Sequence, residues 1–338
     1  MASPDNRRMD GPVRAIMTAI RDIRDTDGLI DPVPEHISMA EKTCLITGAN
    51  SGLGYAIAED LARRGARLIL ACRSDIPEAA DDLIHVSGNQ NITMEYVDLL
   101  DLRSVDALCD RLVAAGTKLD RLILNAGLMA PRAEPSAQGF EKMLAVHFLA
   151  NQRLATRLVE LGVIARTTEP TRPRIIAVSS ESHRSAPPID FEELGKLIPH
   201  KTSGAMKQYG HSKLALSLMI RGLAARYRAA DGTPEIDVFH MCPGPVASNI
   251  ARDAPSLIRP LANGMIHTFF PGPAKAAQPV IHLACSDNVS GKSGAYMHLM
   301  RFKDPSNSAM DDDAATRVIE FGERVFSELQ TGQSHGQA

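Results

Sequence analysis

Short apolar runs alternate with amphipathic stretches along most of the chain. Runs that are apolar throughout are typical of strands buried on both faces of a parallel sheet. Apolar residues at helical spacing predict helices between those strands. This order predicts an α/β fold with a single doubly wound parallel sheet and helices on both faces. The predicted strands number seven: Thr43–Thr47, Arg67–Cys72, Ile92–Val97, Leu122–Leu124, Arg174–Val178, Ile236–Cys242 and Gly294–Leu299.

The regions outside this alternation are the two ends of the chain and one long internal segment. Residues 1–41 form an N-terminal extension with one amphipathic helix at 12–23, followed by a linker at 32–34. We expect that helix to pack on its own domain or on a second subunit, because its acidic residues weaken the case for a membrane surface. One domain then spans 42–330, and 331–338 is predicted to be a disordered tail.

The helices are predicted from the same periodicity. A helix follows the first strand and ends at Gly65, and a second begins near Pro77. Tyr209 is predicted to open a helix that runs to about Arg228. Further helices are predicted at Leu102–Ala115, Gln138–Leu161, Ala274–Cys285 and Asp312–Leu329.

Composition narrows the class of protein. The chain has 338 residues, 44% of them hydrophobic, and a formal net charge of −3, which gives no electrostatic case for a nucleic-acid partner. The five cysteines are odd in number and show no paired spacing, so we interpret them as reduced core residues, not as a disulfide framework or a zinc site. No apolar run reaches membrane-spanning length, and no signal-peptide core precedes the first strand. We therefore expect a cytoplasmic protein.

A glycine-rich loop, Thr47–Gly54, joins the first predicted strand to a helix. Such a loop can place backbone N–H groups and a helix N-terminus against a pyrophosphate. Gly48, Gly52 and Gly54 would turn the chain, admit a phosphate and let the helix pack on the strand. The alternative is an ordinary turn between strand and helix, and residues further along the chain favour the nucleotide site.

The ends of successive strands carry candidate site residues. Gly48, Arg73, Asp98, Asn125, Ser180 and Gly244 all follow a predicted strand, so they should meet at one edge of the sheet. Arg73 stands where an acidic residue would bind a ribose 2′-hydroxyl, and an arginine there favours a 2′-phosphate, which predicts NADP(H). The alternative is a surface arginine. Asp98 can bond an adenine amino group or cap the next helix.

The candidate chemical centre is a tyrosine and a lysine four residues apart. Tyr209 and Lys213 share one face of a helix at this spacing. We expect the ammonium to lower the pKa of the phenol, so that Tyr209 can exchange a proton with an alcohol or alkoxide. Ser180 can hydrogen-bond the same oxygen. The same spacing also occurs on ordinary helices.

With these residues in view, the chain resembles the short-chain dehydrogenase/reductase family, over about Lys42–Leu329. Cys72-Arg73, His211–Leu214, the insertion before Tyr209 and Ser293–Tyr296 resemble its retinol-dehydrogenase-like branch. The resemblance implies a Rossmann fold, NADP(H), a serine–tyrosine–lysine centre, a lipophilic alcohol or carbonyl substrate, and a homodimer or homotetramer. It implies cofactor contacts from Gly48, Asn50, Ser51, Gly52, Leu53, Gly54, Arg73, Asp98, Leu99, Asn125, Ala126, Gly127, Tyr209, Lys213, Pro243, Gly244 and Val246, and no metal.

Two positions depart from the family pattern. His147 stands where relatives carry an asparagine that helps to hold a water in a proton relay. His147 can replace that asparagine as a catalytic residue, or the backbone alone can hold the water, or the relay is impaired. Pro245 replaces an aliphatic residue and stiffens the segment before Val246.

Two functions follow from these patterns. The first is an NADP(H)-dependent oxidoreductase that interconverts an alcohol and its carbonyl on an aromatic, polycyclic, steroid- or retinoid-like substrate. The apolar segment Ser248–Pro273 supports a hydrophobic substrate, although it can also be a plain connection or a dimer contact. The alternative function is a non-catalytic NADP(H)-binding sensor or scaffold, which the histidine at position 147 and the N-terminal helix favour.

Overall fold

The computed structural model describes residues 28–244 and 272–331. The predicted helix at 12–23, Pro245, Val246, most of the apolar segment that follows and the tail from 332 lie outside the described residues. Thr331, predicted to begin the tail, instead ends the last helix. No helix in the described ranges combines the length and the apolar character needed to cross a membrane.

Eight strands of the described residues form one sheet in the order β3-β2-β1-β4-β5-β6-β7-β8. Neighbours pair in parallel except β7 and β8, which are antiparallel. The doubly wound sheet is confirmed. The eighth strand was not predicted, because two residues carry no hydrophobic pattern. The strands are β1 (Thr43–Thr47), β2 (Arg67–Cys72), β3 (Ile92–Tyr96), β4 (Arg121–Leu124), β5 (Arg174–Val178), β6 (Asp237–Cys242), β7 (Tyr296–His298) and β8 (Arg301–Phe302).

Helices cover both faces of this sheet, as predicted. Each face has its own core: Ile57, Leu83 and Ile281 contribute to one, and Leu108 and Leu218 contribute to the other. The helices are α1 (Gly52–Arg63), α2 (Glu78–Ser87), α3 (Leu102–Ala114), α4 (Lys142–Leu144), α5 (Ala150–Glu160), α6 (Thr202–Arg226), α7 (Pro273–Cys285) and α8 (Asp312–Thr331). A π-helical turn at Ala145–Leu149 joins α4 to α5, and a 3-10 turn at Glu181–Ser185 follows β5.

Two helix starts lie four or more residues from their predicted positions. Helix α6 begins at Thr202, so Tyr209 lies two turns inside it and does not open it. The polar residues and the glycine of the first turns hide the helical period there. The helix predicted from Gln138 begins at Lys142, where the Glu141 carboxylate accepts the Leu144 N–H at 2.9 Å as an N-cap.

The segment predicted as a linker packs on the domain. Arg64 donates to the carbonyl oxygens of Val33 at 3.1 Å and Pro34 at 2.7 Å. Val33 and Met39 are buried against the core. These contacts fix the chain immediately before β1.

The five cysteines are buried and free.

Candidate active site

The site begins where the chain order of the sheet reverses, between β1 and β4. The Thr47 hydroxyl accepts the N–H groups of Asn125 and Ala126, each at 3.0 Å. In return the Asn125 amide donates to the carbonyl oxygens of Thr47 at 2.9 Å and Gly48 at 3.2 Å. The Asn125 amide therefore ties the ends of the neighbouring strands β1 and β4 together. A crevice at such a point is where open α/β sheets bind ligands.

The glycine loop is shaped for a phosphate. Gly48 has φ +65° and Gly52 has φ +59°, conformations that L side chains rarely adopt. A Cβ at Gly52 would meet nothing within 4 Å, whereas one at Gly54 would lie 2.2 Å from the Gly48 carbonyl oxygen. Ser51 precedes α1 without capping it through its side chain, so N–H groups of the first turn stay available. The loop therefore fits a pyrophosphate at the N-terminus of α1.

A cation and two carboxylates lie at the adenosine end of this crevice. Arg73 is 64% exposed at its side chain, and its guanidinium lies 4.0 Å from the Asp98 carboxylate. Asp98 accepts the Leu100 N–H at 3.0 Å. It does not cap α3: Asp101 does, by accepting the Arg103 N–H. The Leu99 side chain is buried in the core, so only its backbone can face a nucleotide.

The second carboxylate belongs to Asp75 and was not considered from the sequence. Its Oδ2 accepts the Asn50 amide at 2.6 Å and the Ser74 hydroxyl at 2.9 Å. Asp75 has φ +59°, unusual for a residue with a side chain. An acidic group thus contacts the glycine loop close to Arg73, although it does not end β2.

The structure brings Ser180, Tyr209 and Lys213 together. The Ser180 hydroxyl lies close enough to the Tyr209 phenol to affect its pKa, and it donates to the Ser182 hydroxyl at 3.0 Å. The Lys213 ammonium lies 5.6 Å from the centre of the Tyr209 ring and donates to the Val178 carbonyl at 2.9 Å. Lys213 is only 3% exposed, and a Cβ added to Gly127 would lie 3.7 Å from its Nζ. These contacts place the three side chains at the ends of β4 and β5.

The prediction that Tyr209 is unusually acidic was wrong. Burial raises the pKa of the Tyr209 phenol to about 12, and the hydrogen bond with Ser180 only partly opposes this. Burial also lowers the pKa of Lys213 to about 8. The reason is that the Lys213 ammonium donates to the Val178 carbonyl and does not hydrogen-bond the phenol oxygen, so its charge does not offset the cost of burial. Tyr209 is therefore protonated at neutral pH.

His147 lies in the π-helical turn and has no exposed surface. Its Nε2 accepts the Leu128 N–H at 3.0 Å, and its Nδ1 lies 2.8 Å from the Ser212 hydroxyl. A backbone N–H can only donate, so we assign the ring proton to Nδ1. Burial, with the charge of Lys213, lowers the pKa of His147 well below its usual value. The ring is neutral, and both of its nitrogens are engaged.

Three polar residues near Ser180 were missed from the sequence: Glu181 and His183 lie in the turn after β5, and Tyr296 lies in β7. The Cys242 sulfur accepts the Glu181 N–H at 3.3 Å, and the Glu181 carboxylate accepts the Tyr296 hydroxyl. Cys242 ends β6, so its place at a strand end could have marked it as a residue near the site. Nothing in the sequence pattern distinguishes His183, because its partners lie far along the chain.

Comparison with known proteins decides the family. The sequence model for short chain dehydrogenase matches residues 42–188. Mouse retinol dehydrogenase 14 is 36% identical over 306 residues, which cover 86% of this chain and 88% of that protein. The chain belongs to the short-chain dehydrogenase family. Within it, the chain lies in the retinol-dehydrogenase-like branch: mouse retinol dehydrogenase 12 is 31% identical over 84% of this chain and 85% of its own length.

Solved structures of other proteins share this fold. A protein from Mycobacterium paratuberculosis superposes with a TM-score of 0.65 at 24% identity, covering 88% of this chain and 98% of its own. A Shigella flexneri protein, described as a short chain dehydrogenase complexed with NADP, has a TM-score of 0.58 at 20% identity, covering 79% and 99%. This short-chain dehydrogenase is thus an oxidoreductase with a Rossmann-like sheet, and its family assigns it a nicotinamide dinucleotide as cofactor.

Proposed function

We propose that the protein is an NADP(H)-dependent oxidoreductase that interconverts an alcohol and its carbonyl on a hydrophobic substrate. The observation that carries this proposal is the contact of Ser180 with Tyr209, one helical turn from the buried Lys213. These groups stand beside a glycine loop that fits a pyrophosphate. The arrangement offers hydrogen-bond donors to one substrate oxygen next to a dinucleotide crevice.

The cofactor residues are proposed from the shape of the crevice. The loop from Gly48 to Gly54 would hold the pyrophosphate, and Asn125–Gly127 would lie against the nicotinamide half. Arg73 would pair with a 2′-phosphate, because its guanidinium is exposed and the carboxylate it pairs with among the described residues lies 4.0 Å away. When bound, a nicotinamide would supply or accept the hydride, and the protein would orient it and manage the proton.

The protonation state of the site favours carbonyl reduction at neutral pH. Tyr209 keeps its proton, since burial raises the pKa of the phenol to about 12. It can therefore donate to the oxygen of a carbonyl as that oxygen gains negative charge, while Ser180 donates a second hydrogen bond. The Lys213 ammonium, buried one turn away, stabilises the phenolate that remains. In the reverse reaction the same groups act with the proton moving from the alcohol to a Tyr209 phenolate.

The substrate is proposed to be apolar. Met206 is 52% exposed and lies three residues before Tyr209, so the two share one side of α6. Leu197 and Ile198, in the insertion before α6, are also exposed. The relatives are named for retinol, a long apolar alcohol. Steroid-like and polycyclic carbonyls share that chemistry and belong to the same proposal.

We propose that His147 positions the site without carrying a proton, because both of its nitrogens are engaged and the ring is neutral. That same observation supports the second candidate function, a non-catalytic NADP(H)-binding sensor or scaffold. A cytoplasmic location and a homodimer or homotetramer complete the proposal. Fractionation of cells and size-exclusion chromatography with light scattering test these two points.

The decisive test is a substrate screen. Purified protein is mixed with NADPH, and loss of cofactor fluorescence is followed across a panel of hydrophobic aldehydes and ketones, with NADH in parallel wells. Turnover with NADPH on apolar members of the panel supports the proposal. NADPH binding without turnover on any member favours the sensor, and turnover restricted to small polar carbonyls contradicts the substrate class.

A further inference from the structure

A buried polar cluster lies directly behind Ser180. We call it the Glu181 cluster, and it consists of Glu181, His183, Arg184, Tyr296 and Lys303. Its members come from the 3-10 turn after β5 and from the hairpin of β7 and β8. His183 has 0% exposure, and Arg184 and Tyr296 have 2% each. Burying polar groups this deeply costs free energy unless each group is hydrogen-bonded or ion-paired, so the partners within this cluster are informative.

Glu181 is the centre of the cluster. Its carboxylate accepts the Tyr296 hydroxyl at 2.6 Å and the Arg184 guanidinium at 2.9 Å, and it lies 3.5 Å from the Lys303 ammonium. Burial disfavours ionisation, but the charges of His298, Arg184 and Lys303 outweigh it and lower the pKa of Glu181 to about 2. The carboxylate is therefore a fixed charge that joins the turn to the hairpin.

His183 makes a second link between the same two segments. Its Nε2 accepts the Ser306 N–H at 3.1 Å, so its proton lies on Nδ1, which donates to the Ser180 carbonyl at 2.6 Å. Burial lowers the pKa of His183 to about 4, which keeps the ring neutral under ordinary conditions. The backbone of Ser180 is thus fixed to the region after β8 through one imidazole.

The Ser180 side chain depends on this anchoring. Ser180 is the N-cap of the 3-10 turn, and its hydroxyl accepts the Ser182 N–H at 3.2 Å. The orientation of the hydroxyl toward Tyr209 is therefore set by the same turn that Glu181 and His183 hold. A small rotation of that turn would move the hydroxyl away from the phenol.

We infer that Glu181 and Tyr296 are positioning residues for the reaction, acting through the turn that carries the Ser180 hydroxyl. This inference rests on the proposed function, because it assigns Ser180 a part in the chemistry. Neither residue touches the reacting atoms. The hairpin of β7 and β8, at the far edge of the sheet, becomes part of the active-site framework. An error of about 1 Å in such a framework costs up to roughly 100-fold in rate.

The test is Tyr296→Phe, which removes one hydroxyl and leaves the buried ring in place. We expect kcat for a hydrophobic carbonyl to fall roughly three- to tenfold with the KM for NADPH unchanged, because cofactor contacts lie elsewhere. We expect the decline of kcat near pH 8 to stay in place, since Lys213 sets it and the substitution acts through Ser180. Glu181→Gln should act in the same direction. Tyr227→Phe is the matched control, as Tyr227 is 4% exposed and remote from Ser180 in the fold.

The outcomes separate the inference from the function. A lower melting temperature for Tyr296→Phe with kcat unchanged means that the cluster only stabilises the fold, and the inference is overturned. It is also overturned if Tyr227→Phe lowers kcat equally. Absence of turnover by the wild-type protein on the whole panel instead removes the proposed function, and the inference with it.

Discussion

Nδ1 of His147 lies 2.8 Å from Oγ of Ser212, and that hydroxyl in turn donates to the Tyr209 carbonyl at 2.8 Å. With the Leu128 N–H on the other ring nitrogen, one neutral imidazole ties the loop after β4 to α6. The amide of an asparagine lies near the Nδ1 position, whereas the amide of a glutamine reaches the Nε2 position. His147→Asn therefore keeps the hydrogen bond to Ser212, and His147→Gln keeps the one from the Leu128 N–H.

We predict that His147→Asn and His147→Gln each keep kcat within about tenfold of wild type, while losing roughly 1–3 kcal/mol of unfolding free energy for the lost buried hydrogen bond. Steady-state kinetics and urea denaturation measure the two effects. A proton carrier would behave differently, because removing general acid–base catalysis costs about 100-fold or more. A loss of that size in both variants, with NADPH binding intact, would show that His147 moves a proton.

The pH dependence of kcat should be set by the ionisation of Lys213. Its pKa is lowered by burial to about 8, so the ammonium that stabilises the phenolate is lost as pH rises through that value. The kcat for carbonyl reduction should therefore be constant on the acid side of 8 and decline above it. Lys213→Arg, if it retains measurable activity, should remove this decline, since arginine stays charged. A kcat that rises through pH 8 in the reductive direction contradicts this assignment.

Cofactor choice should depend on Arg73 and Asp75. Arg73→Met is expected to weaken NADPH binding roughly tenfold and to leave NADH binding unchanged, because only NADPH carries the 2′-phosphate. Asp75→Asn should strengthen NADPH binding, since it removes a carboxylate beside the loop that contacts Asn50 and Ser74. Fluorescence titration with both nucleotides measures these changes.

Arg63→Met is the control for cofactor choice, because that arginine pairs with Glu59 on the exposed side of α1. Equal losses of NADH and NADPH affinity in Arg73→Met would show that Arg73 does not recognise the phosphate. In that case the choice between NADP(H) and NAD(H) lies elsewhere.

The close packing of α1 against the loop should make Gly54 intolerant of any side chain. A Cβ there would lie 2.2 Å from the Gly48 carbonyl oxygen and 2.4 Å from the Asn125 amide nitrogen. Gly54→Ala is therefore expected to lower NADPH affinity at least tenfold and to lower the melting temperature. Gly272→Ala should change neither, because a Cβ there meets nothing within 4 Å in the part of the chain that the structure describes and its φ is −63°. Unchanged binding by Gly54→Ala would mean that the loop does not hold the cofactor.

Much of the fold could be predicted because buried parallel strands have a strong pattern. The bounds of β1, β2 and β5 are confirmed residue by residue. The meeting of Gly48 with Asn125 follows from strand order, since both residues end neighbouring strands. The start of α6 was missed because polar residues obscure its period, and β8 was missed because it is too short to have one.

The chemistry of the site was harder to predict than its position. The spacing of Tyr209 and Lys213 correctly placed them on one helical face. It could not show that burial outweighs the ammonium and raises the pKa of the phenol. The partners of His147 and His183 come from distant segments, so their hydrogen bonds have no local sequence signal. Burial and long-range contacts are the quantities that the pattern does not contain.

The central claim is that the Tyr209 hydroxyl exchanges the proton with the substrate beside a bound dinucleotide. Tyr209→Phe removes only that hydroxyl. Measured side by side with wild type by NADPH titration and turnover of a hydrophobic ketone, the variant should bind NADPH with unchanged affinity and lose at least 100-fold in kcat. Turnover by Tyr209→Phe within a few-fold of wild type would contradict the account.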